Sequence, residues 1–209
     1  MGVRHNGNIQ RPSHCSHFVG CVYMTRPSTL HVYATRVDRV ITFNTPFHTW
    51  LSLLQLDQIN DILQFIHQDD QERALVSRLL QIAVVSAHTG VSPSHVRIER
   101  KPGAKPRAIS RKYIDYNVSH HGPWVLIACC TIPNVIVGVD VVSKKESAPI
   151  GYTPESWCRT EACLKALGLG LRGLGMELSN DWSERQIELD GDHVAVVVFR
   201  NIQFPIFYM

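Results

Sequence analysis

No run of five or more basic residues occurs in these 209 residues, and the formal charge is only +3. That is far from the electrostatic footprint of a nucleic-acid-binding domain. Cysteine is sparse: Cys15, Cys21, Cys129, Cys130, Cys158 and Cys163 make six, and their spacing builds neither a zinc ribbon nor a dense disulfide frame. Cys129 and Cys130 sit in an apolar run, the usual setting of buried free thiols. That favours a reducing compartment, and the cytoplasm is the expectation. The N-terminus has no apolar core of signal-peptide length, and Asn6 breaks the myristoylation pattern begun by Met1-Gly2. The longest apolar stretch, Trp124 to Val142, is interrupted by Pro133-Asn134 and carries Asp140. Two strands around a turn explain it better than a membrane span. A Gly-x-Ser-x-Gly elbow and a P-loop are both missing, which removes two common catalytic frameworks. Gly168-Leu-Gly170-Leu-Arg-Gly173 does spell G-x-G-x-x-G. It follows an expected helix rather than opening one, so it is no dinucleotide site.

What is present suits a globular chain with a sizeable core: 44% of residues are hydrophobic and the mean hydropathy is −0.05. Residues 1–20 lack periodicity and read as a disordered lead, with His14, Cys15, His17 and Cys21 as tail residues rather than a metal site. Strand patterns follow near 22–23, 31–34 and 37–43. The spacing of Leu51, Leu54, Ile59, Ile62, Leu63 and Ile66 predicts an amphipathic helix. A second helix over 73–85 is opened by Asp69-Asp70 and closed by Gly90 and Pro93. Residues 96–100 alternate as a strand, and 101–106 form a turn. Beyond them lie strands at 116–119, 124–131 and 135–141, a helix at 155–167, and strands at 185–189 and 193–199. The chain reads as α+β, with an N-terminal α+β subdomain over 21–114 and a C-terminal one over 115–209. Trp124, Trp157 and Trp182 read as core or interface aromatics.

A few side chains could carry chemistry. Asp140 ends an apolar strand, a good position from which to hold a hard cation. Glu161 and Lys165 stand four apart on the expected helix, so they share a face, with Cβ atoms about 5–6 Å apart. Ser119-His120 ends a strand. A nucleophilic Ser-His pair is not expected, since adjacent strand residues point to opposite faces; recognition of an anion is. Lys105, in the turn after Gly103, can reach a phosphate as a flexible point charge. Arg73 could do the same, whereas Arg78, five residues on, reads equally as a surface charge. His121 has no role that the letters assign.

In this order and spacing, Asn117-Val-Ser119-His120, Gly138-Val-Asp140-Val and Trp157-x-x-x-Glu161-Ala-x-x-Lys165-Ala-x-Gly168 resemble the 4'-phosphopantetheinyl transferases. Asp70-Gln-Glu-Arg73-Ala-Leu and Gly103-Ala-Lys105-Pro106 add two weaker matches. The resemblance covers roughly 60–200 and points to the larger, aminoadipate-semialdehyde-dehydrogenase-type group. It implies two similar subdomains related by pseudo-twofold symmetry, with the site at their interface. It implies transfer of the phosphopantetheine arm of coenzyme A to a serine of an acidic apo carrier protein by a monomer. Asp140 and Glu161 would be magnesium ligands, Glu161 and Lys165 catalytic, and Arg73, Lys105, Ser119 and His120 would contact coenzyme A. Three positions depart from the pattern. Val142 stands where many members carry a second acid, Thr160 where a lysine precedes the signature glutamate, and Ala104 splits a Gly-Lys-Pro turn. These departures also suit an alternative, a non-catalytic relative that binds coenzyme A or a carrier.

Overall fold

Strand β6 (Trp124–Cys130) is buried at every position, which is why its sequence is an unbroken apolar run. In the computed structural model, which describes residues 21–25, 30–42, 44–101, 103–176, 178–179 and 181–202, β6 is paired on both edges. Strand β2 (Leu30–Arg36) lies on one side and β5 (Asp115–His121) on the other, with β1 (Cys21–Thr25) outside β2, all antiparallel. A second antiparallel sheet has the order β7 (Val135–Ser143), β9 (His193–Asn201), β8 (Ser183–Glu188). The turn expected over 101–106 joins a short hairpin, β3 (Ile98–Glu99) and β4 (Arg107–Ala108). Another turn, at Asn134 with φ of 64°, separates β6 from β7. The lead expected over residues 1–20, with His14, Cys15 and His17, lies outside the described residues; Cys21, expected to be a tail residue with them, instead begins β1 and pairs with Ala34.

The two sheets pack face to face. Val32, Leu126 and Ala128 of the first meet Val137, Val139, Ala195 and Val197 of the second in one core. Helix α4 (Gln68–Thr89) covers the outer face of the first sheet through Val76, Leu80 and Val84 against Tyr116, Val125, Ile127 and Cys129. Helix α5 (Pro154–Ala166) covers the outer face of the second through Cys158, Ala162 and Ala166 against Ile136, Val196 and Val198. The order is helix, sheet, sheet, helix. Adjacent Cys129 and Cys130 fall into different cores, as strand alternation requires, and both are free thiols. Among the described residues, no helix is long and apolar enough to cross a membrane.

Three local expectations need correction. Residues 37–40 form a single helical turn, α1 (Val37–Val40), rather than a strand; Val37 and Val40, three apart, both turn into the core beside α4. The helix expected across 51–66 is split into α2 (Phe47–Leu51) and α3 (Leu56–Leu63), because Gln55 and Gln58 build a reciprocal capping box that starts a new helix. Arg78 is buried, not a surface charge, and faces Asp61 at 3.5 Å. The division placed at 114/115 falls within the first sheet, since β5 and β6 pair with β2; the change of sheet comes at 131–134.

Strands β5 and β7 run side by side as the facing edges of the two sheets, joined by side chains instead of a backbone ladder. Asp115, Asn117 and Ser119 occupy alternate positions of β5 and reach across. Asp115 Oδ2 accepts from the Val137 N–H at 2.7 Å, and Asn117 Oδ1 accepts from the Val139 N–H at 2.9 Å. Ser119 Oγ donates to Asp140 Oδ1 at 2.8 Å. Polar side chains thereby satisfy edge amides that would otherwise be buried without partners.

Candidate active site

Asp140 lies near the end of β7 and is only 2% exposed. A carboxylate this deep needs partners. Oδ1 has two: Ser119 Oγ and the Lys165 ammonium. Lys165 Nζ also donates to Ser119 Oγ at 2.9 Å. Oδ2 has none among the described residues. Lys165 comes from α5, whose start is fixed by Thr153 accepting from the Ser156 N–H and by Pro154 in the first turn. The helix can bring Lys165 onto Asp140 because residue 138 is glycine. A Cβ there would lie 2.0 Å from the Ala162 carbonyl oxygen and 2.9 Å from the Ala166 Cβ. The same close approach seats Glu161, neighbour of Ala162, against Asp140.

The consequence appears in the acid–base state of Glu161. Burial, then the charge of Asp140, raise its carboxyl to about 7, against the pull of Lys165. His120 is held below the usual imidazole value, first by burial and then by the positive charges of Lys165 and Arg73. These groups border a pocket of about 240 Å³ lined by Ser119, His120, Asp140, Val142, Glu161 and Lys165 among others. Ser119 and His120 both reach it, although they are adjacent on β5, and His121 joins them on its rim. Ser119 bonds to Asp140 and Lys165, an arrangement for orienting charge and not a Ser-His nucleophile.

The remaining candidates lie elsewhere. Arg73 stands behind His120, where it donates to Asp70 at 2.6 Å and to the Gly122 carbonyl at 3.4 Å. Lys105 is not brought to the pocket. Its ammonium, 4% exposed, is spent on Asp115 Oδ2 at 2.5 Å and the Val137 carbonyl at 2.7 Å. A flexible turn lysine was the expectation; burial at the seam between the sheets is the finding. The 168–173 glycines follow α5 and lead into a short 3-10 turn, not a helix. Sequence reasoning passed over Asp115 and gave Asn117 no role of its own. Their signal was the polar alternation Asp115-x-Asn117-x-Ser119 beside apolar strands, which marks one polar face of β5.

Among the described residues, no group of three or more His, Cys, Asp or Glu side chains converges as a metal site. Val142 lines the pocket as an apolar wall. Two carboxylates remain, Asp140 and Glu161, the first with a buried oxygen that has no partner among the described residues. A magnesium ion is commonly held by one or two carboxylates plus substrate phosphates and water, so the donors present fit that ion.

The family model described as 4'-phosphopantetheinyl transferase, N-terminal, matches residues 42–132. The phosphopantetheinyl transferase of Thraustochytrium is 26% identical over 196 aligned positions, covering 72% of this chain and 66% of its own length. The chain is similar to the 4'-phosphopantetheinyl transferases. Among these transferases, the L-aminoadipate-semialdehyde dehydrogenase-phosphopantetheinyl transferase of Schizosaccharomyces pombe is 28% identical over 165 positions, covering 61% of this chain and 64% of its own. The Bacillus subtilis 4'-phosphopantetheinyl transferase Sfp is 22% identical over 116 positions, covering 56% and 50%. The chain thus spans about half to two thirds of the length of these relatives. The matched family segment holds Arg73, Lys105, Ser119 and His120; Asp140, Glu161 and Lys165 lie after it.

Proposed function

We propose that this protein transfers the 4'-phosphopantetheine arm of coenzyme A to a serine of an apo carrier protein and releases adenosine 3',5'-bisphosphate. One observation carries the reading: a buried Asp140 whose Oδ2 lacks a partner among the described residues, set beside Glu161 and Lys165 in an open pocket. Asp140 and Glu161 would hold a magnesium ion, which would supply charge neutralisation for the pyrophosphate. Ser119 and His120, with the charge of Arg73 behind them, orient the phosphates. The serine oxygen of the carrier bonds to the β-phosphorus as the bond from that phosphorus to the bridging oxygen breaks. The serine proton passes to Glu161. Lys165 neutralises charge on the transferring group and on the departing bisphosphate. A monomer would hold the site within one chain at the junction of its two sheets, which we read as related by a pseudo-twofold axis. The buried free thiols Cys129, Cys130, Cys158 and Cys163 support a reducing compartment such as the cytoplasm.

The test is intact-mass spectrometry of an apo carrier incubated with the protein, coenzyme A and magnesium. The expected result is a gain of one phosphopantetheine that EDTA abolishes, and a loss of about a hundredfold or more in rate for Glu161→Gln. Val142 at the pocket wall favours a second reading, a non-catalytic binder of coenzyme A or of a carrier. That reading predicts calorimetric binding of coenzyme A indifferent to magnesium, with no mass gain on any carrier type.

A further inference from the structure

One wall of the pocket is not part of either sheet. It is the segment between β7 and α5, residues 144–153, which contributes Glu146, Ser147 and Ala148 to the lining. The base of this loop is pinned to the second sheet. The Lys144 N–H donates to the Asp192 carbonyl at 2.8 Å, Lys144 Nζ to Glu188 at 2.6 Å, and Lys145 Nζ to Asp192 at 2.7 Å. Glu146 then crosses to the other sheet: its Oε1 lies 2.9 Å from His121 Nε2. A carboxylate only accepts, so the imidazole nitrogen donates. Beyond Glu146 the next hydrogen bond among the described residues is local, from the Tyr152 N–H to the Pro149 carbonyl.

His121 is braced from behind. Its ring lies 5.8 Å from that of His193. His193 Nδ1 is 3.0 Å from Asp190, which also accepts from Trp124 Nε1 at 2.8 Å and from the backbone N–H groups of Asp192 and His193. Gly122 makes room for this brace, since a Cβ there would lie 2.9 Å from His193 Nε2. The β5 end, the β8–β9 turn and the loop therefore meet at one imidazole.

We propose that His121 and Glu146 are positioning residues for the acceptor: a clasp that holds the 144–153 loop as the outer wall of the pocket. The inference rests on the transfer reaction proposed above. The phosphate-orienting groups Ser119, His120 and Arg73 belong to β5 and α4; the clasped loop is a separate segment that lines the same pocket beside Ser119 and His120. Just past Glu146 the same loop carries a fully exposed Ile150 and an exposed Tyr152. Those are contacts suited to a protein surface and not to a phosphate. Releasing the clasp leaves the reacting groups in place and misplaces only the wall that the incoming carrier meets.

The experiment pairs Glu146→Ala with Glu146→Gln, which keeps an acceptor for His121. Hydrogen exchange in the absence of coenzyme A reads the loop directly. In Glu146→Ala, amides of 144–152 should exchange about fivefold faster, the scale of one lost partly exposed hydrogen bond. KM for the carrier should rise by a similar factor while kcat and KM for coenzyme A stay within about twofold, and Glu146→Gln should recover most of both effects. Wild-type loop exchange and carrier KM in Glu146→Ala would overturn the clasp, as would an equal fall in kcat with no change in KM. If the wild-type protein modifies no carrier, the proposed reaction and the acceptor role fall together. The exchange rates would still decide whether His121 and Glu146 hold the loop.

Discussion

The seam between β5 and β7 carries a lysine–aspartate pair at each end, and the two pairs differ in what they leave over. At one end Lys105 and Asp115 are closed off. The ammonium has two partners, and Asp115 Oδ2 takes both that ammonium and the Val137 N–H. Burial lowers the proton affinity of Lys105 and Asp115 restores part of it, so the pair is a self-contained staple between the sheets. At the other end Lys165 is 30% exposed, Asp140 has a buried oxygen without a partner among the described residues, and a second acid, Glu161, is pressed against it. The first pair is satisfied; the second has one carboxylate too many and opens on a pocket. A residual charge in a cleft, rather than a salt bridge as such, distinguishes a site that awaits a ligand from one that holds a fold.

The comparison is broken most directly at the closed end. Lys105→Met would leave Asp115 buried without its counter-ion and should cost about 3–5 kcal/mol of stability, read by urea unfolding. Any transfer activity should fall only as the folded fraction falls. If Lys105→Met stayed stable but lost affinity for coenzyme A, Lys105 would be a phosphate ligand after all and the contrast between the two ends would collapse. A smaller effect is expected midway along the seam. Gly138→Ala forces α5 away from β7 by driving a methyl into the Ala162 carbonyl, at about 1–3 kcal/mol for a locally overpacked contact. Because Glu161 and Lys165 ride on α5, magnesium-dependent binding of coenzyme A should weaken more than stability alone explains. Unchanged binding, measured calorimetrically, would mean that α5 need not be held so close.

The open end was legible in the sequence; the closed end was not. Glu161 and Lys165 were expected to share a helix face, and with Asp140 they were singled out by the order of the motifs; Asp140, expected to end its strand, lies inside β7. The continuous apolar run of β6 and the turn at Asn134 were readable because both signals are local. Lys105 was misread since nothing local says that a turn lysine will be folded under. That depends on Asp115 ten residues later and on the Val137 carbonyl of another sheet. Residues 37–40 and 51–66 failed where tertiary packing overrode strand propensity and where a Gln-Gln capping box, weaker in the letters than a Ser or Asp cap, interrupted one periodic stretch. His121 had no readable role because its partners, Glu146 and the His193 brace, come from other segments of the chain.

The smallest expected effect tests whether the leftover charge is real. The ordinary carboxyl value for Glu161 is 4.5, and in the folded protein it is raised to about 7 by burial and by Asp140. Between those limits the folded state holds a proton that the unfolded state has released, so stability must fall as pH rises across that window. Below it both states are protonated and no penalty exists; above it the full penalty remains. Water reaches part of Glu161, so the swing should be about 1 kcal/mol. Unfolding free energies of EDTA-treated protein and of Glu161→Gln, compared from pH 4.5 to 7.5, isolate the effect of Glu161 because every other titrating group is common to both. The wild-type curve should drop away from that of the variant as pH rises. Parallel curves would show that Asp140 and Glu161 do not repel each other, and would leave the two ends of the seam chemically alike.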